Sequence, residues 1–278
     1  MFNVRTMSAE DFDFAVSLTD VMSWNLARGD FEFMVELEPE GCFVLLRNGE
    51  KIGIVTTVIF DSVGWFGNLI VSEAYRKKGA GSMLASYAIR YLIGRKVKTI
   101  GLYAYVEKIP FYRKLGFAYD SDFVVINGEG FASPTKSHVR KAEKTDIEQI
   151  IKYDHSCLGF SRRKLLEPIL LDEDNLCYIS ECFGDFSGYV VAKVYRGMAE
   201  IGPLICQQSD DKLAINLLAT MLDRLAGFEV SMCAAERSGI LTRLKTYGFT
   251  ESFHVARMFQ GSPLETDCIC MAESLERG

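Results

Sequence analysis

The chain has 278 residues, more than one ordinary core holds and suited to two domains of roughly 100–200 residues each; its 49% hydrophobic and 24% charged side chains are those of a globular protein. No apolar run nears the ~20 residues that span a bilayer, the acidic, interrupted start MFNVRTMSAEDFDF is unlike a secretion signal, and a net charge of −6 argues against a nucleic-acid binder while suiting a cationic substrate. Eight cysteines in a chain this long, most inside strand-like or helix-like apolar stretches, need no disulfide framework and imply a reducing, cytoplasmic compartment.

In chain order, FNVRTMSAEDFDFAVSL (2–18) reads as strand, polar turn and helix. Strands CFVLLR (42–47) and KIGIVTTVIF (51–60) flank Asn48-Gly49, a hairpin signal. Strand WFGNLIV (65–71) leads through a basic, glycine-containing loop into a helix with Leu84, Ala88, Tyr91 and Leu92 at helical spacing. A strand at 99–105, a helix at 108–115 and a strand near 117–126 follow. This order predicts an α/β fold of α+β type, a mixed sheet with helices on its faces.

Asn127-Gly128-Glu129-Gly130 and Ser133-Pro134 then form a Gly/Ser/Pro-rich bridge. Beyond it the pattern returns. SHVRKAEKTDIEQIIKY (137–153) parallels 2–18, EIGPLIC (200–206) parallels WFGNLIV, FEVSMCAA (228–235) parallels TIGLYAYV (99–106), and RLKTYGF (243–249) parallels FYRKLGF (111–117). Two tandem copies of one unit are expected, residues 1–130 and 137–278; chance likeness within one α/β domain is the other reading.

The loop between strand 65–71 and its helix reads Arg76-Lys77-Lys78-Gly79-Ala80-Gly81-Ser82. The first N–H groups of a helix lack internal partners and carry the positive end of its dipole. Glycine lets a ligand approach the backbone, and three cations surround the turn. Together these describe a cradle for a diphosphate. A Walker loop needs Lys after its second glycine, and a dinucleotide fingerprint needs a third glycine where Leu84 stands. A charged turn that only caps a helix is the alternative.

V-x-x-x-Y-R-x-x-G-x-G-x-x-L from Val71 to Leu84 resembles motif A of the GNAT superfamily of acyl-CoA-dependent N-acetyltransferases, and IPFYRKLGF (109–117) resembles that family's closing helix and strand. A first helix ending at Trp24-Asn25, Pro39-Glu40-Gly41-Cys42-Phe43 before a strand, and Pro110 ahead of Tyr112 resemble its tandem, YitH-type branch. The resemblance implies a sheet splayed open beside the loop, with acetyl-CoA (coenzyme A) in the gap. Its pantetheine would add to the edge of Leu69, Ile70 and Val71, and its diphosphate would rest on Lys77, Lys78, Gly79, Ala80, Gly81 and Ser82 with Arg76 nearby. Tyr112 holds the position of the family's proton donor, and a phenol near pKa ~10 can protonate a thiolate near ~8.5 where water is excluded. The acceptor is expected to be a small-molecule amine or amino acid.

The base is open. Families of this type often carry an acid on the strand before the loop, and strand 65–71 has none; Glu73 suits steering the turn, Asp30, Glu36 and Glu107 are the candidates or ordinary solvated charges, and water or bulk solvent is the alternative proton acceptor. His138, His155 and His254 are scattered and read as structural, and the lone Cys268-x-Cys270 lacks partners for a metal site. The second copy reads Cys206-Gln207-Gln208-Ser209-Asp210-Asp211-Lys212 at the equivalent loop, with no glycine from Pro203 through Ala226, and Leu244 stands where Tyr112 would. Its carboxylates would repel a diphosphate, so a degenerate copy is expected, its site lost and its role that of a wall to the acceptor pocket. A non-catalytic acyl-CoA sensor and a different nucleotide-binding protein are the competing readings.

Overall fold

The computed structural model describes residues 2–24, 26–132, 138–182, 185–206, 211–236, 239–264 and 267–278. In chain order these form β1 (Phe2–Thr6), α1 (Phe12–Val21), α2 (Arg28–Leu37), β2 (Phe43–Arg47), β3 (Glu50–Phe60), β4 (Val63–Val71), α3 (Ala80–Gly94), β5 (Thr99–Tyr105), α4 (Ile109–Lys114), β6 (Ala118–Glu129), β7 (Val139–Lys141), α5 (Ile147–Leu158), α6 (Arg163–Leu171), β8 (Leu176–Cys182), β9 (Asp185–Val194), β10 (Met198–Cys206), α7 (Asp211–Arg224), β11 (Glu229–Ala235), α8 (Gly239–Thr246), β12 (Thr250–Gly261) and β13 (Ile269–Met271). All the described strands join one mixed sheet; its mixed α/β character is as the sequence predicts, and the joining of both halves into a single sheet is not.

The two halves repeat at atomic detail. After β1, Arg5 grips Asp11 with two hydrogen bonds of 2.6 and 2.8 Å, and the Ser8 amide donates to the same carboxylate. After β7, Arg140 grips Asp146 at 2.7 and 2.9 Å, and the Glu143 amide takes the place of Ser8. Each carboxylate closes a polar turn at the start of a helix, which fixes where the helix leaves the sheet. Burial alone would raise the Asp11 carboxyl, but hydrogen bonds from Arg5, Lys51 and the Ser8 amide outweigh it and hold the group well below the usual carboxylate range.

The halves also exchange their closing strands. The strand order is β1-β2-β3-β4-β5-β12-β6-β11-β13-β10-β9-β8-β7. A lone copy would pair β5 with β6 and β11 with β12. Instead β12 lies beside β5, with Val255 opposite Tyr105 and Gly261 opposite Thr99, and β6 lies beside β11, with Phe123 opposite Ala235 and Glu129 opposite Glu229. The exchanged strands pair with each other at the centre. One apolar core therefore spans both halves, with Trp65, Phe123 and Phe259 packed in the same cluster as Ile150, Leu165 and Leu166 of α5 and α6.

Two local expectations change. Asn127, Gly128 and Glu129 are not a bridge between units but the end of β6, paired to Ser231, Val230 and Glu229. Gly128 is there because the Phe249 ring lies where its side chain would be. Ser133-Pro134 lies outside the described residues. The first helix ends at Val21, so Trp24 stands in the turn after it rather than at its end, and Asn25 lies outside the described residues.

Residues 1–132 expressed alone lack β12, the observed partner of β5, and the α5 and α6 side chains that complete the shared core. That fragment is expected to give no folded monomer by circular dichroism and size exclusion, and co-expression with 137–278 is expected to restore one. Asp11→Asn leaves Arg5 and Lys51 without their carboxylate and is expected to cost about 2–4 kcal/mol in urea unfolding at neutral pH. Because the folded Asp11 carboxyl is depressed, its stabilisation is present above the unfolded value and is lost as pH falls below about 4. The gap between wild type and Asp11→Asn is therefore expected to shrink in acid.

Candidate active site

β4 and β5 run parallel but pair only over Val63–Trp65 against Thr99–Gly101, and then diverge. Beyond Trp65 the edge of β4 faces a gap. The strand also bulges there. Gly67 faces Thr56 and Ile70 faces Ile54, so Asn68 and Leu69 together oppose Val55. Asn68 takes a φ of 50°, and its Nδ2 donates to Thr56 Oγ1 at 3.2 Å. The extra residue flips the alternation: Phe66, Leu69 and Val71 pack with α3, while Ile70 packs with α1 and α2.

The loop that follows is braced from within. Arg76 Nε donates to the Val71 carbonyl at 2.9 Å, so this arginine ties the loop to the end of β4. Lys77 (φ 59°) and Gly79 (φ 82°) both take left-handed backbone, which turns the chain into α3 and favours glycine at the second position. The first α3 hydrogen bond runs from the Met83 amide to the Gly79 carbonyl at 3.0 Å. The amides of Ala80, Gly81 and Ser82 precede it and have no helical acceptor. A side chain at Gly81 would meet only Val71 Cγ2, at 3.9 Å. The fold leaves that face open, and the Lys77 and Lys78 side chains are exposed beside it. These residues suit an anionic, extended ligand: amides and cations at one end, a strand edge leading away from it.

Tyr112 projects from α4 with its ring edge-on to Phe66 at 6.2 Å and to Phe117 at 5.9 Å. Among the described residues no side chain hydrogen-bonds its hydroxyl. Burial pushes the phenol well above its ordinary value by disfavouring the phenolate, so the hydroxyl rests protonated. In the second copy Leu244 holds this place: the Phe249 amide bonds the Leu244 carbonyl as the Phe117 amide bonds that of Tyr112.

The acids considered as bases are not assembled at the gap. Asp30 Oδ2 accepts the Ala27 amide at 2.7 Å and caps α2. Glu107 is exposed beside Lys108, and Glu36 and Glu73 are exposed. His138, His155 and His254 are exposed in the back half, and His254 sits 3.5 Å from Glu251.

The face of β4 opposite α3 is lined by groups to which the sequence assigned no role in the site. Trp24 Nε1 donates to Tyr105 Oη at 2.7 Å, and Tyr105 packs on Phe253 of the exchanged strand at 5.1 Å. The segment from Cys268 onward does the rest. β10 and β11 repeat the β4–β5 arrangement, pairing in parallel from Met198 to Ile201 and then diverging. Their gap is filled by β13, antiparallel to both, with Met271 opposite Leu204 on one side and Ala234 on the other. Cys270 Sγ lies 3.5 Å from Cys206 Sγ, and Cys268 donates to the Cys157 carbonyl. All eight cysteines are free thiols, and no metal-binding cluster occurs among the described residues. Gln207, Gln208, Ser209 and Asp210 lie outside the described residues; Asp211 opens α7. A void of about 10 Å³ beside Trp65 and Phe160 holds no more than one water.

The sequence matches the Acetyltransferase (GNAT) family over residues 5–117 and an Acetyltransferase (GNAT) domain over residues 150–268. A holothin acyltransferase from Pseudoalteromonas sp. is 27% identical over 264 residues, covering 92% of this chain and 87% of that protein. In fold, a putative acetyltransferase from Pyrococcus horikoshii superposes with a TM-score of 0.83 at 21% identity over 100% of this chain and 96% of that one. A tandem GNAT protein from the clavulanic acid biosynthesis pathway superposes with a TM-score of 0.62 at 11% identity over 95% and 99%. Proteins of this family use acyl-CoA as donor. With a braced basic loop, a splayed strand pair and two matched copies, the chain is a tandem member of the GNAT acetyltransferase family, whose chemistry is acyl transfer.

Proposed function

We propose that the front half transfers an acetyl group from acetyl-CoA to the amine of a small molecule, and that the back half binds no coenzyme A. The observation that carries this is the contrast between two equivalent gaps. The β4–β5 gap opens beside unpaired α3 amides and exposed lysines, while the β10–β11 gap is occupied by β13. Burying Ile269 and Met271 contributes on the order of 1.5–3 kcal/mol each, which an incoming pantetheine would have to displace.

In this reading Lys77 through Ser82 hold the diphosphate, with Arg76 bracing the loop, and the edge of Leu69–Val71 aligns the pantetheine. An amide at the Asn68–Leu69 bulge receives the thioester oxygen as it gains negative charge. Tyr112 donates to the sulfur as the C–S bond breaks. The acceptor enters between the halves, on the Trp24, Tyr105 and Phe253 face. An aromatic wall there suits a small flat or cationic amine, in keeping with a relative named for acylating holothin. We assign the chain to the tandem YitH-type branch on its motifs, and the free cysteines suit a cytoplasmic setting. The competing reading, an acyl-CoA sensor without turnover, draws on the lack of any acid on β4.

Thiol release from acetyl-CoA across a panel of primary amines separates enzyme from sensor; turnover is expected with at least one amine. Gly81→Glu places a carboxylate at the α3 N-terminus, where the folded chain has room for it. It is expected to weaken coenzyme A binding at least 100-fold by calorimetry with the thermal midpoint nearly unchanged. Tyr112→Phe is expected to lower kcat about 10–100-fold with the KM for acetyl-CoA within twofold.

A further inference from the structure

The β4 strand supplies no acid, but the chain lays one across it. A side chain at Gly67, the residue before the bulge, would stand 2.7 Å from Glu276 Cα and 2.8 Å from its carbonyl oxygen. Backbone this close allows only glycine, and the contact is on the face of β4 opposite α3, where the acceptor enters. Gly202 of β10, the counterpart of Gly67, is covered in the same way by Ala272. The segment thus passes through the back-half gap as β13 and crosses onto the front-half bulge.

It is held firmly at both ends of that crossing. Glu273 is buried between Lys193 at 2.7 Å and Arg277 at 2.9 Å. The Arg277 guanidinium lies over Phe33 of α2 at 5.4 Å, and Arg162 donates to the Gly278 oxygen. The two nearby cations are thereby engaged elsewhere: Lys193 by Glu273 and Glu200, and Arg277 by Glu273. Among the described residues Glu276 has no ion pair.

We propose that Glu276 is the general base of the front-half site. The inference rests on the N-acetyltransferase reading. The acceptor ammonium gives a proton to the Glu276 carboxylate, and the amine nitrogen forms a bond to the thioester carbon. The C–S bond then breaks, the thiolate takes a proton from Tyr112, the nitrogen sheds its second proton to solvent, and solvent returns a proton to Tyr112 and takes one from Glu276. The groups whose charge or hydrogen bonding acts on Glu276, or on which it acts, are Tyr105 of β5, Lys193 of β9, Glu200 of β10, Cys233 of β11, and Ser274 and Arg277 of its own segment. Burial raises its carboxyl, Arg277 and Lys193 oppose that, Glu200 adds to it, and the balance lies above the ordinary value. A base so tuned works nearer neutral pH than a solvated glutamate.

The test follows thiol release from acetyl-CoA between pH 5.5 and 9, with water alone and with a panel of primary amines, in wild type, Glu276→Gln and Glu276→Asp. Coenzyme A affinity is measured on each by calorimetry. Glu276→Gln is expected to bind coenzyme A as wild type does, to lose about 100-fold in kcat, and to lose the acidic limb of the pH profile. Glu276→Asp is expected to recover part of the rate together with that limb, which a merely structural role would not do. Unchanged rate and profile in Glu276→Gln overturn the base assignment alone. A wild type that binds coenzyme A yet releases no thiol at any pH overturns the transferase reading and this one with it.

Discussion

Two neighbouring strands that stop pairing after three residues are the constraint on which the front half turns. Parallel β4 and β5 stay together through Trp65 and Gly101 and then separate, which leaves a row of backbone groups on β4 without a strand to satisfy them. Exposed ladder groups must find partners. The bulge at Asn68–Leu69 re-aims that row, and the braced loop delivers α3 amides to its far end. A thioester carrier with amides along its arm and a diphosphate at its end meets both demands at once.

The back half faces the same constraint and resolves it differently. Its β10–β11 gap receives β13, so strand groups there are satisfied within the chain. The lack of glycines, the acidic start of α7 and Leu244 in the place of Tyr112 accord with the proposal that this gap takes no coenzyme A. The same segment continues to Gly67, where Glu276, the proposed base, crosses β4. The exchange of β6 and β12 makes this reach possible, because it fixes the two halves in one sheet around one core.

Local features were legible in the sequence. Asn48-Gly49 turns the β2–β3 hairpin with positive φ at both residues, and the basic loop and Tyr112 lie within short, self-contained motifs. The duplication was legible because four segments, such as 2–18 and 137–153, recur in the same order, and the Arg5–Asp11 and Arg140–Asp146 pairs of the structure lie in the first of these. Non-local features were not. Gly128 looks like linker glycine by composition, and only the Phe249 ring explains it. Nothing near Gly67 in the chain announces Glu276, and nothing in an apolar closing strand says whether its partner will be β5 or β11. Cys268-x-Cys270 looked idle and marks the strand that fills a gap.

A crystal structure grown with coenzyme A tests the account most directly. The account predicts one molecule per chain, its diphosphate against the amides of residues 79–82, its pantetheine along Leu69–Val71, and β13 still seated between β10 and β11. Coenzyme A between β10 and β11, or a front-half gap that stays empty at saturating ligand, would contradict it.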